Sequence, residues 1–256
     1  MKIYEVVLFL HKYVDKNKEL ERNLTLKEKQ FFFNQIFLQN TFWKDLHDRK
    51  GRKNYCFSFN IPQSNTKQLK LYTRFSEENW IGLEVEKRIM ELITLNKNEK
   101  SDLVLKDINI GITGYRKKIL EKKEINLPLN FCSLSPLYLG EYKENEKEKS
   151  KKTNIDLDMN KLEDRKQLKV EIINTINRQM KKDELPEISQ ENIEIIIRKK
   201  TGLKVDWNFW WKVYFIDFFI ENNTNEELRK YLLLGGFQKN SYGLGYFVTG
   251  NINLFN

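Results

Sequence analysis

The sequence predicts an α+β protein of two tandem ferredoxin-like domains, each with the element order βαββαβ. The chain has 256 residues, which suits two domains of about a hundred residues or more each. Hydrophobic residues make up 40% of it and aromatic residues 13%, enough apolar material for two cores. Strand-like and helix-like apolar patterns recur in the same order in both halves. We therefore expect an N-terminal domain over residues 1–126 and a C-terminal domain over residues 127–256.

The first half begins with a strand and a capped helix. Ile3–Leu10 is a β-branched and apolar run, which predicts a strand. Thr25–Glu28 has the Thr-x-x-Glu pattern of a capping box, and apolar residues then recur at near-helical spacing as far as Leu46. One helix is expected here, ending near His47–Gly51. The later predicted elements are strand Tyr55–Ile61, strand Leu69–Phe75, helix Glu77–Ile93, and a closing strand or bent pair of strands over Leu103–Ile119.

The second half repeats this order after a turn around Pro128. Glu141–Lys152 alternates charges and is predicted to be a solvated, mobile loop rather than a binding tail. Ferredoxin-like units of this RRM-like type leave one face of an antiparallel sheet open, which RNA-binding domains often use. The predicted elements are strand Leu134–Leu139, helix Leu162–Met180, strands Ile193–Ile197 and Phe209–Ile220, a helix from the capping box Thr224–Glu227 to Leu234, and strand Tyr246–Thr249.

The charge balance favours a polyanionic partner. Lys and Arg exceed Asp and Glu by 45 to 36, giving a net charge of +9. This indicates nucleic acid or an anionic membrane surface. The alternative is that an A/T-rich genome supplies part of the lysine excess. No apolar stretch approaches the roughly 18 residues of a membrane span. Cys56 and Cys132 are too few for a disulfide framework, so a reduced, cytoplasmic setting and no membrane association are expected.

Glycines are concentrated near the end of the chain, where five of the 11 lie from Gly235 onward. Glycine lets main-chain N–H groups approach a polyanion closely, and Lys239 adds a positive charge. The segment 235–245 therefore predicts a cradle for a phosphate backbone. The alternative is a glycine-rich hairpin without a ligand. The candidate residues of this phosphate-backbone cradle are Gly235, Gly236, Lys239, Asn240, Ser241, Tyr242, Gly243 and Gly245.

Acid–base catalysis by a histidine is the chemistry that the side chains favour. The sequence has two histidines, no Cys/His/Asp cluster with metal-ligand spacing, and neither a G-x-S-x-G nor a Walker motif. We therefore expect no metal and no cofactor. His47 stands before a basic turn with Lys50, Arg52 and Lys53. Neighbouring cations lower the pKa of an imidazole, which favours the neutral base, and they also stabilise charge on a phosphate.

Each of these features also has a purely structural explanation. His47 could be a surface histidine at a helix C-terminus, where a positive charge complements the helix dipole. His11 follows an apolar run and is expected to be a partly buried structural residue. The aromatic cluster Trp207–Trp211 is expected to serve core and interface packing rather than base stacking.

Four motifs in this order give the chain a family resemblance. They are Leu46-His47-Asp48, Tyr55-Cys56-Phe57-Ser58-Phe59, Ser135-Pro136-Leu137, and the glycine-rich segment 235–245. Together they resemble the CRISPR-associated endoribonuclease that processes precursor CRISPR RNA, a member of the repeat-associated RAMP superfamily. The resemblance covers nearly the whole chain.

The resemblance implies a metal-independent cut within the CRISPR repeat. His47 would be the general base for the RNA 2′-hydroxyl, and Lys53, or Lys50 or Arg52 in its place, would stabilise the phosphate. The products would be a 2′,3′-cyclic phosphate and a 5′-hydroxyl. Some members pair the histidine with a tyrosine of the preceding helix, whereas this helix has Phe31–Phe33, so the proton donor is unassigned. The chain also has Gly-Gly-Phe where relatives often have Gly-Leu-Gly.

Two other functions compete with cleavage. One is a non-catalytic RNA-binding RAMP subunit of a CRISPR effector complex, which would share the fold and the glycine-rich segment but would not require His47. The other is an interaction scaffold without salt-sensitive RNA affinity. The expected partner is CRISPR repeat RNA, precursor and processed, with an effector complex as a further candidate. The sequence leaves monomer and homodimer open.

Overall fold

A computed structural model describes residues 2–13, 24–37, 41–48, 53–60, 68–97, 103–105, 108–126, 130–142, 152–189, 193–206, 209–220, 226–235 and 243–249. In these ranges the chain is α+β, with one large antiparallel sheet in each half. This confirms the predicted fold class of two tandem ferredoxin-like units. The division at residue 126 stays a prediction.

The N-terminal sheet has the strand order of a ferredoxin-like unit. Its five strands are β1 (Ile3–Tyr13), β2 (Tyr55–Asn60), β3 (Gln68–Ser76), β4 (Val104–Leu105) and β5 (Ile108–Leu120). They are ordered β2-β3-β1-β5-β4, and all neighbours are antiparallel. The pair β4 and β5 confirms the bent pair expected at this place. The helices of this half are α1 (Leu26–Phe37), α2 (Thr41–Asp48), α3 (Glu77–Gly82), α4 (Val85–Lys97) and α5 (Lys122–Asn126).

The capping box at Thr25 forms as predicted, and two described helices lie where the sequence predicts a single helix. Thr25 N donates to Glu28 Oε2 at 2.8 Å, and Glu28 N donates to Thr25 Oγ1 at 3.3 Å. Helix α1 spans Leu26–Phe37 and helix α2 spans Thr41–Asp48. Residues 38–40 lie outside the described ranges. Apolar spacing continues across the gap, which is why the pattern predicts one helix.

The helix predicted over Glu77–Ile93 is divided in two. The α3 helix ends at Gly82, and α4 begins after Glu84, whose φ of 48° lies in the left-handed region. A Cβ on Gly82 would lie 2.5 Å from the Phe42 ring of α2. The helix is therefore interrupted where Gly82 packs closely against α2 and Glu84 takes a left-handed conformation. The spacing of apolar residues predicts neither of these features.

The C-terminal half has a second sheet of the same topology. Its strands are β6 (Asn130–Ser133), β7 (Leu137–Tyr138), β8 (Gly140–Tyr142), β9 (Lys152–Asn154), β10 (Ile193–Lys204), β11 (Trp210–Ile220) and β12 (Phe247–Thr249). The sheet order β10-β11-β6-β12 corresponds to β2-β3-β1-β5 in the first half, while β7 pairs with β11 and β8 with β9. The helices are α6 (Leu162–Lys182) and α7 (Glu226–Leu233).

Three predictions for the second half need correction. The strand expected at Leu134–Leu139 is instead β6 and β7, separated by a bend in which Ser135 Oγ accepts from Tyr246 N at 2.9 Å. Strand β10 runs on to Lys204 through a bulge after Ile197. The ends of the charged segment predicted as a loop belong to β8 and β9, and residues 143–151 lie outside the described ranges.

The two halves pack against one another. Ile3 of β1 and Leu120 of β5 join the C-terminal core. Leu26 of α1 packs in a small cluster with Trp211 and Leu244. Each half therefore has its own core, and a few apolar side chains join the halves. In the described ranges, no helix combines the length and the apolar character needed to cross a membrane.

Candidate functional site

The end of α2 is tied to the start of β2 by a lysine. His47 is the penultimate residue of α2, and the structure describes its backbone but not its side chain. Lys53 Nζ donates to the carbonyl oxygen of Leu46 at 2.9 Å. The last carbonyls of a helix lack intrahelical partners, so this bond satisfies one of them. The Lys53 ammonium therefore lies beside the helix turn that carries His47. Lys50 and Arg52 lie outside the described ranges.

A buried asparagine fixes the backbone of this turn. Asn79 Nδ2 donates to the carbonyl oxygens of Lys53 and Asn54 at 2.8 and 3.0 Å. Asn54 has a φ of 52°, and its carbonyl oxygen also accepts from Ser76 N at 3.0 Å. Three hydrogen bonds thus hold the two residues that precede β2, and asparagine tolerates the left-handed conformation that the turn requires.

Both described ends of the glycine-rich segment dock onto β2. Gly235 has a φ of 66°, and a Cβ there would lie 2.4 Å from the Cβ of Cys56. Gly243 has a φ of 78°, and a Cβ there would lie 2.8 Å from the Phe57 ring. At these two positions glycine is required by a left-handed conformation and by close packing. A docking role therefore accounts for these two glycines, and phosphate approach is not needed to explain them.

Gly245 also has a left-handed conformation, with a φ of 71°, and its N–H donates to the carbonyl oxygen of Pro136 at 3.0 Å. The remaining predicted RNA-binding residues lie outside the described ranges: Gly236, Lys239, Asn240, Ser241 and Tyr242.

Strand β2 brings together residues that are almost two hundred positions apart in the sequence. Lys53 lies two residues before β2 begins at Tyr55, and the glycines contact Cys56 and Phe57, the second and third residues of the strand. The C-terminal end of α2, the Lys53 ammonium and the docked glycines therefore lie at one end of the same strand. The sequence predicted these groups in different domains and did not predict that they would be neighbours.

A buried arginine fastens the glycine-rich segment at both ends. Arg74 of β3 forms an ion pair with Glu5 of β1, with 2.6 Å between Nη2 and Oε2. Its Nη1 donates to the carbonyl oxygens of Leu233, before the segment, and Phe247, after it. Cys56 Sγ also donates to the Leu233 oxygen, at 3.2 Å. We call Glu5, Cys56, Arg74 and Tyr246 with these two carbonyls the junction network.

The junction network is shielded from water, and this sets its electrostatics. The Arg74 guanidinium lies 4.6 Å from the centre of the buried Tyr246 ring, whose hydroxyl donates to Glu5. Burial alone would raise the pKa of Glu5, but the charge and hydrogen bonds of Arg74 outweigh it and leave that pKa below its usual value. Burial raises the pKa of the Cys56 thiol to about 12. The network therefore holds one ion pair and a protonated thiol.

The sequence carries a signal for only one member of the junction network. Glu5 is a charged residue within the apolar run of β1, which indicates a paired charge. Arg74 gives no such signal, because it continues the polar alternation of Gln68 and Lys70 in β3. The contact of Arg74 with the glycine-rich segment had no local signal, because it joins residues 159 and 173 positions apart.

The other predicted residues have mixed outcomes. Trp211 is buried, with its ring centre 4.7 Å from that of Tyr138, as expected for packing. Phe209 and Trp210 are exposed by 53% and 59%, and the Phe209 ring packs edge-on against Trp211 with the ring centres 6.2 Å apart. Trp207 and Asn208 lie outside the described ranges. His11 is half-buried on β1, as expected. Across the part of the chain that the structure covers, no three His, Cys, Asp or Glu side chains form a group that could hold a metal ion.

The chain is similar to known proteins in its fold, but no match was found from its sequence. No protein-family profile and no curated protein matches the sequence. A solved structure described as a CRISPR-associated Cas6 protein is 18% identical, with 97% of this chain and 100% of that chain covered and a TM-score of 0.57. A RAMP protein described as binding different RNA substrates is 13% identical, with coverages of 97% and 100% and a TM-score of 0.60.

A third solved structure, a Cas6 product complex, is also 13% identical. It covers 97% of this chain and 99% of its own, with a TM-score of 0.58. These likenesses agree with the fold that the four sequence motifs imply. Over nearly its whole length, the chain has the fold of the Cas6 and RAMP proteins.

Proposed function

We propose that this protein is a metal-independent endoribonuclease that cleaves CRISPR repeat RNA in precursor transcripts to give guide RNAs. The observation that carries the proposal is the closeness, on β2, of the α2 end with His47, the Lys53 ammonium and the docked glycine-rich segment. A general base, a cation and an RNA-backbone cradle are the parts that such a cut requires. The shared fold with Cas6 and RAMP proteins supports the same substrate class.

The reaction needs no external nucleophile. The neutral imidazole of His47 takes the proton of a ribose 2′-hydroxyl, and the 2′-oxygen attacks the adjacent phosphorus. The new 2′-O–P bond forms as the P–O5′ bond breaks, and the departing oxygen takes up a proton. The products are a 2′,3′-cyclic phosphate and a 5′-hydroxyl. General base catalysis of this kind contributes about a hundred- to ten-thousandfold in rate.

Lys53 is the proposed stabiliser of charge on the phosphate. Its bond to the Leu46 oxygen fixes the ammonium at the helix end, so little reorganisation accompanies the reaction. Lys50 and Arg52, in the same basic turn, are the alternatives for this role. The RNA backbone is proposed to bind the glycine-rich segment, with Lys239 contributing a phosphate contact that does not read the base.

The test uses the repeat RNA encoded beside the gene, incubated with purified protein in excess EDTA. The expected result is a single cut with a cyclic phosphate end, which phosphatase and mass analysis identify. His47→Ala should bind the repeat but not cut it, while His11→Ala, which removes the only other histidine, should still cut. A 2′-deoxy substitution at the scissile nucleotide should abolish cleavage. Undiminished cutting by His47→Ala would remove the role given to that residue.

The second candidate is a non-catalytic RNA-binding subunit that acts within a CRISPR effector complex. The description of one structural neighbour as a RAMP protein that binds different RNA substrates favours it. This alternative predicts tight, salt-sensitive binding of the repeat with no cleavage under any ionic condition. The cleavage assay therefore separates the two functions.

A further inference from the structure

We propose that the exposed end of the N-terminal sheet is a base-stacking site for single-stranded RNA, with Phe9 as its stacking ring. The inference rests on the proposed function, because the strand it takes is part of the same RNA. The junction network covers one end of this sheet face, and Phe9 lies at the other end with 39% of its surface exposed.

The strand alternation decides which way Phe9 points. Val6, Leu8 and Leu10 enter the N-terminal core beneath the helices. Successive side chains of a strand point to opposite faces, so Phe9 lies on the face away from the helices, as Glu5 does. Both central strands of the sheet, β1 and β3, contribute to this face. RRM domains use aromatic residues in the corresponding place to stack RNA bases.

The neighbours of Phe9 leave its ring accessible. Lys70 of β3 lies directly across from it, with Nζ 6.0 Å from the ring centre. Gly114 of β5 lies on the other side, and a Cβ there would be 3.9 Å from the ring. Thr113 Oγ1 donates to the Phe9 carbonyl oxygen at 3.1 Å, which fixes the two strands beside the bulge that follows Phe9. A flat ring held on a rigid strand, with a glycine beside it, suits a stacked base.

The charges on this face match a polyanion. Arg116 and Lys118 of β5 are exposed, and they lie opposite Val7 and Glu5 of β1, on the same face as Phe9 and Lys70. Among the described strand residues of this face, the one carboxylate is that of Glu5, which Arg74 pairs. Lys118 forms an ion pair with Glu124 of α5 at 3.2 Å, so Lys70 and Arg116 are the main cations of this face. Cations beside an aromatic platform are the arrangement that binds single strands without strict sequence preference.

An equally exposed ring elsewhere lacks these cations. Phe219 of β11 is 38% exposed on the open face of the C-terminal sheet, where exposed Glu194 lies directly across from it. Asp217, two residues earlier, is on the same face and forms an ion pair with Arg198, whereas Glu194 is the charge directly beside the ring. The two phenylalanines therefore differ in surrounding charge and not in exposure, which makes Phe219 a matched control.

The location of Phe9 fits an RNA that also contacts the glycine-rich segment. Phe9 is four residues along β1 from Glu5, about 13 Å at the rise of a strand. Glu5 belongs to the junction network, to which both ends of the glycine-rich segment are fastened. A single strand leaving that segment along the sheet face would reach the Phe9 ring.

The experiment measures binding of the fluorescein-labelled repeat RNA by anisotropy at two salt concentrations. Phe9→Ala should bind about tenfold more weakly, within the range found when a stacking ring is removed. Phe9→Leu, which keeps an apolar side chain and so protects folding, should lose a similar factor, and Phe9→Trp should keep the affinity. Phe219→Ala should bind as the wild type does. Thermal unfolding of each variant shows whether it is folded.

Two outcomes overturn the proposal. One is wild-type affinity in folded Phe9→Ala and Phe9→Leu, and the other is an equal loss in Phe219→Ala. If the wild-type protein cuts the repeat while Phe9 proves dispensable, the stacking site fails and the proposed function stands. If the wild-type protein neither binds nor cuts the repeat, both fail.

Discussion

The guanidinium of Arg74 lies 2.6 Å from the carboxylate of Glu5, and the two side chains are 3% and 22% exposed. A buried ion pair stabilises a fold only when further hydrogen bonds satisfy its remaining donors. Here those donors reach the carbonyl oxygens of Leu233 and Phe247, on either side of the glycine-rich segment. The pair therefore links the N-terminal sheet to the segment that is proposed to bind RNA.

Replacing Arg74 by methionine should be strongly destabilising. The substitution removes the cation that pairs with the Glu5 carboxylate and a donor to the Leu233 and Phe247 carbonyls. Breaking a buried pair in this way typically costs about 3–5 kcal/mol. Urea unfolding followed by circular dichroism would measure the loss. Lys87→Met is the control, because its ion pair with Glu84 joins side chains that are 66% and 60% exposed, and such pairs contribute about 0–1 kcal/mol. Equal losses in the two variants would contradict the importance of the junction network.

Acid should weaken the protein through Glu5. Its folded-state pKa is held below the ordinary value of 4.5, so its contribution to stability is complete above the unfolded pKa. That contribution is lost as the pH falls through the lower folded value. The wild type should therefore exceed Glu5→Gln in free energy of unfolding at pH 7, and the difference should shrink at pH 3. Denaturant titrations of both proteins at each pH test this, and a difference that grows on acidification would reverse the sign.

Local sequence patterns predict most of the helices and strands, but not the breaks within helices or the order of strands in the sheets. The long 3.6-residue periodicity of α6 gives that helix to within two residues of its observed end. The same periodicity predicts one helix across Glu84, where the structure has two. A left-handed residue other than glycine does not change the spacing of apolar residues, so the break cannot be predicted from that spacing. Strand order within each sheet depends on tertiary pairing, which no single segment contains.

The site shows the same division between local and distant signals. His47, Lys53 and Gly235 stand out in the sequence by residue type and local density. Their meeting on β2 does not, because Cys56 and Leu233 are 177 positions apart. The concentration of glycines near the C-terminus also had more than one possible explanation. A left-handed turn, close packing and close contact of the backbone with a phosphate all favour glycine.

The two cysteines should resist thiol reagents in the folded protein. Cys56 is buried and donates to the Leu233 oxygen, and burial raises its pKa to about 12; burial also raises the pKa of Cys132. Thiolates are the reactive form, so at pH 8 an aromatic disulfide reagent should modify neither residue until the chain opens. Two thiols per chain should react in denaturant. Rapid labelling in native buffer of Cys132→Ser, which leaves only Cys56, would contradict the burial of that residue.

Gly235→Ala should undock the glycine-rich segment. The new Cβ would lie 2.4 Å from the Cβ of Cys56, and the φ of 66° is itself unfavourable for alanine. Left-handed strain of about 1–2 kcal/mol and overpacking of about 1–3 kcal/mol together predict a clear loss of stability. Gly202→Ala is the control, because its Cβ would lie at an ordinary 3.5 Å from the Trp210 ring.

The clash and the strain can be separated by a second substitution. In a Cys56→Gly background the clashing Cβ is gone, so Gly235→Ala should cost less there than in the wild type, with only the backbone strain remaining. In Cys132→Ser, where Cys56 is the remaining thiol, Gly235→Ala should also speed labelling of Cys56, because the segment that covers this thiol opens more often. The opposite result would be an equal loss of unfolding free energy on Gly235→Ala in both backgrounds, together with unchanged labelling of Cys56. It would show that the contact between Gly235 and β2 does not hold the segment in place.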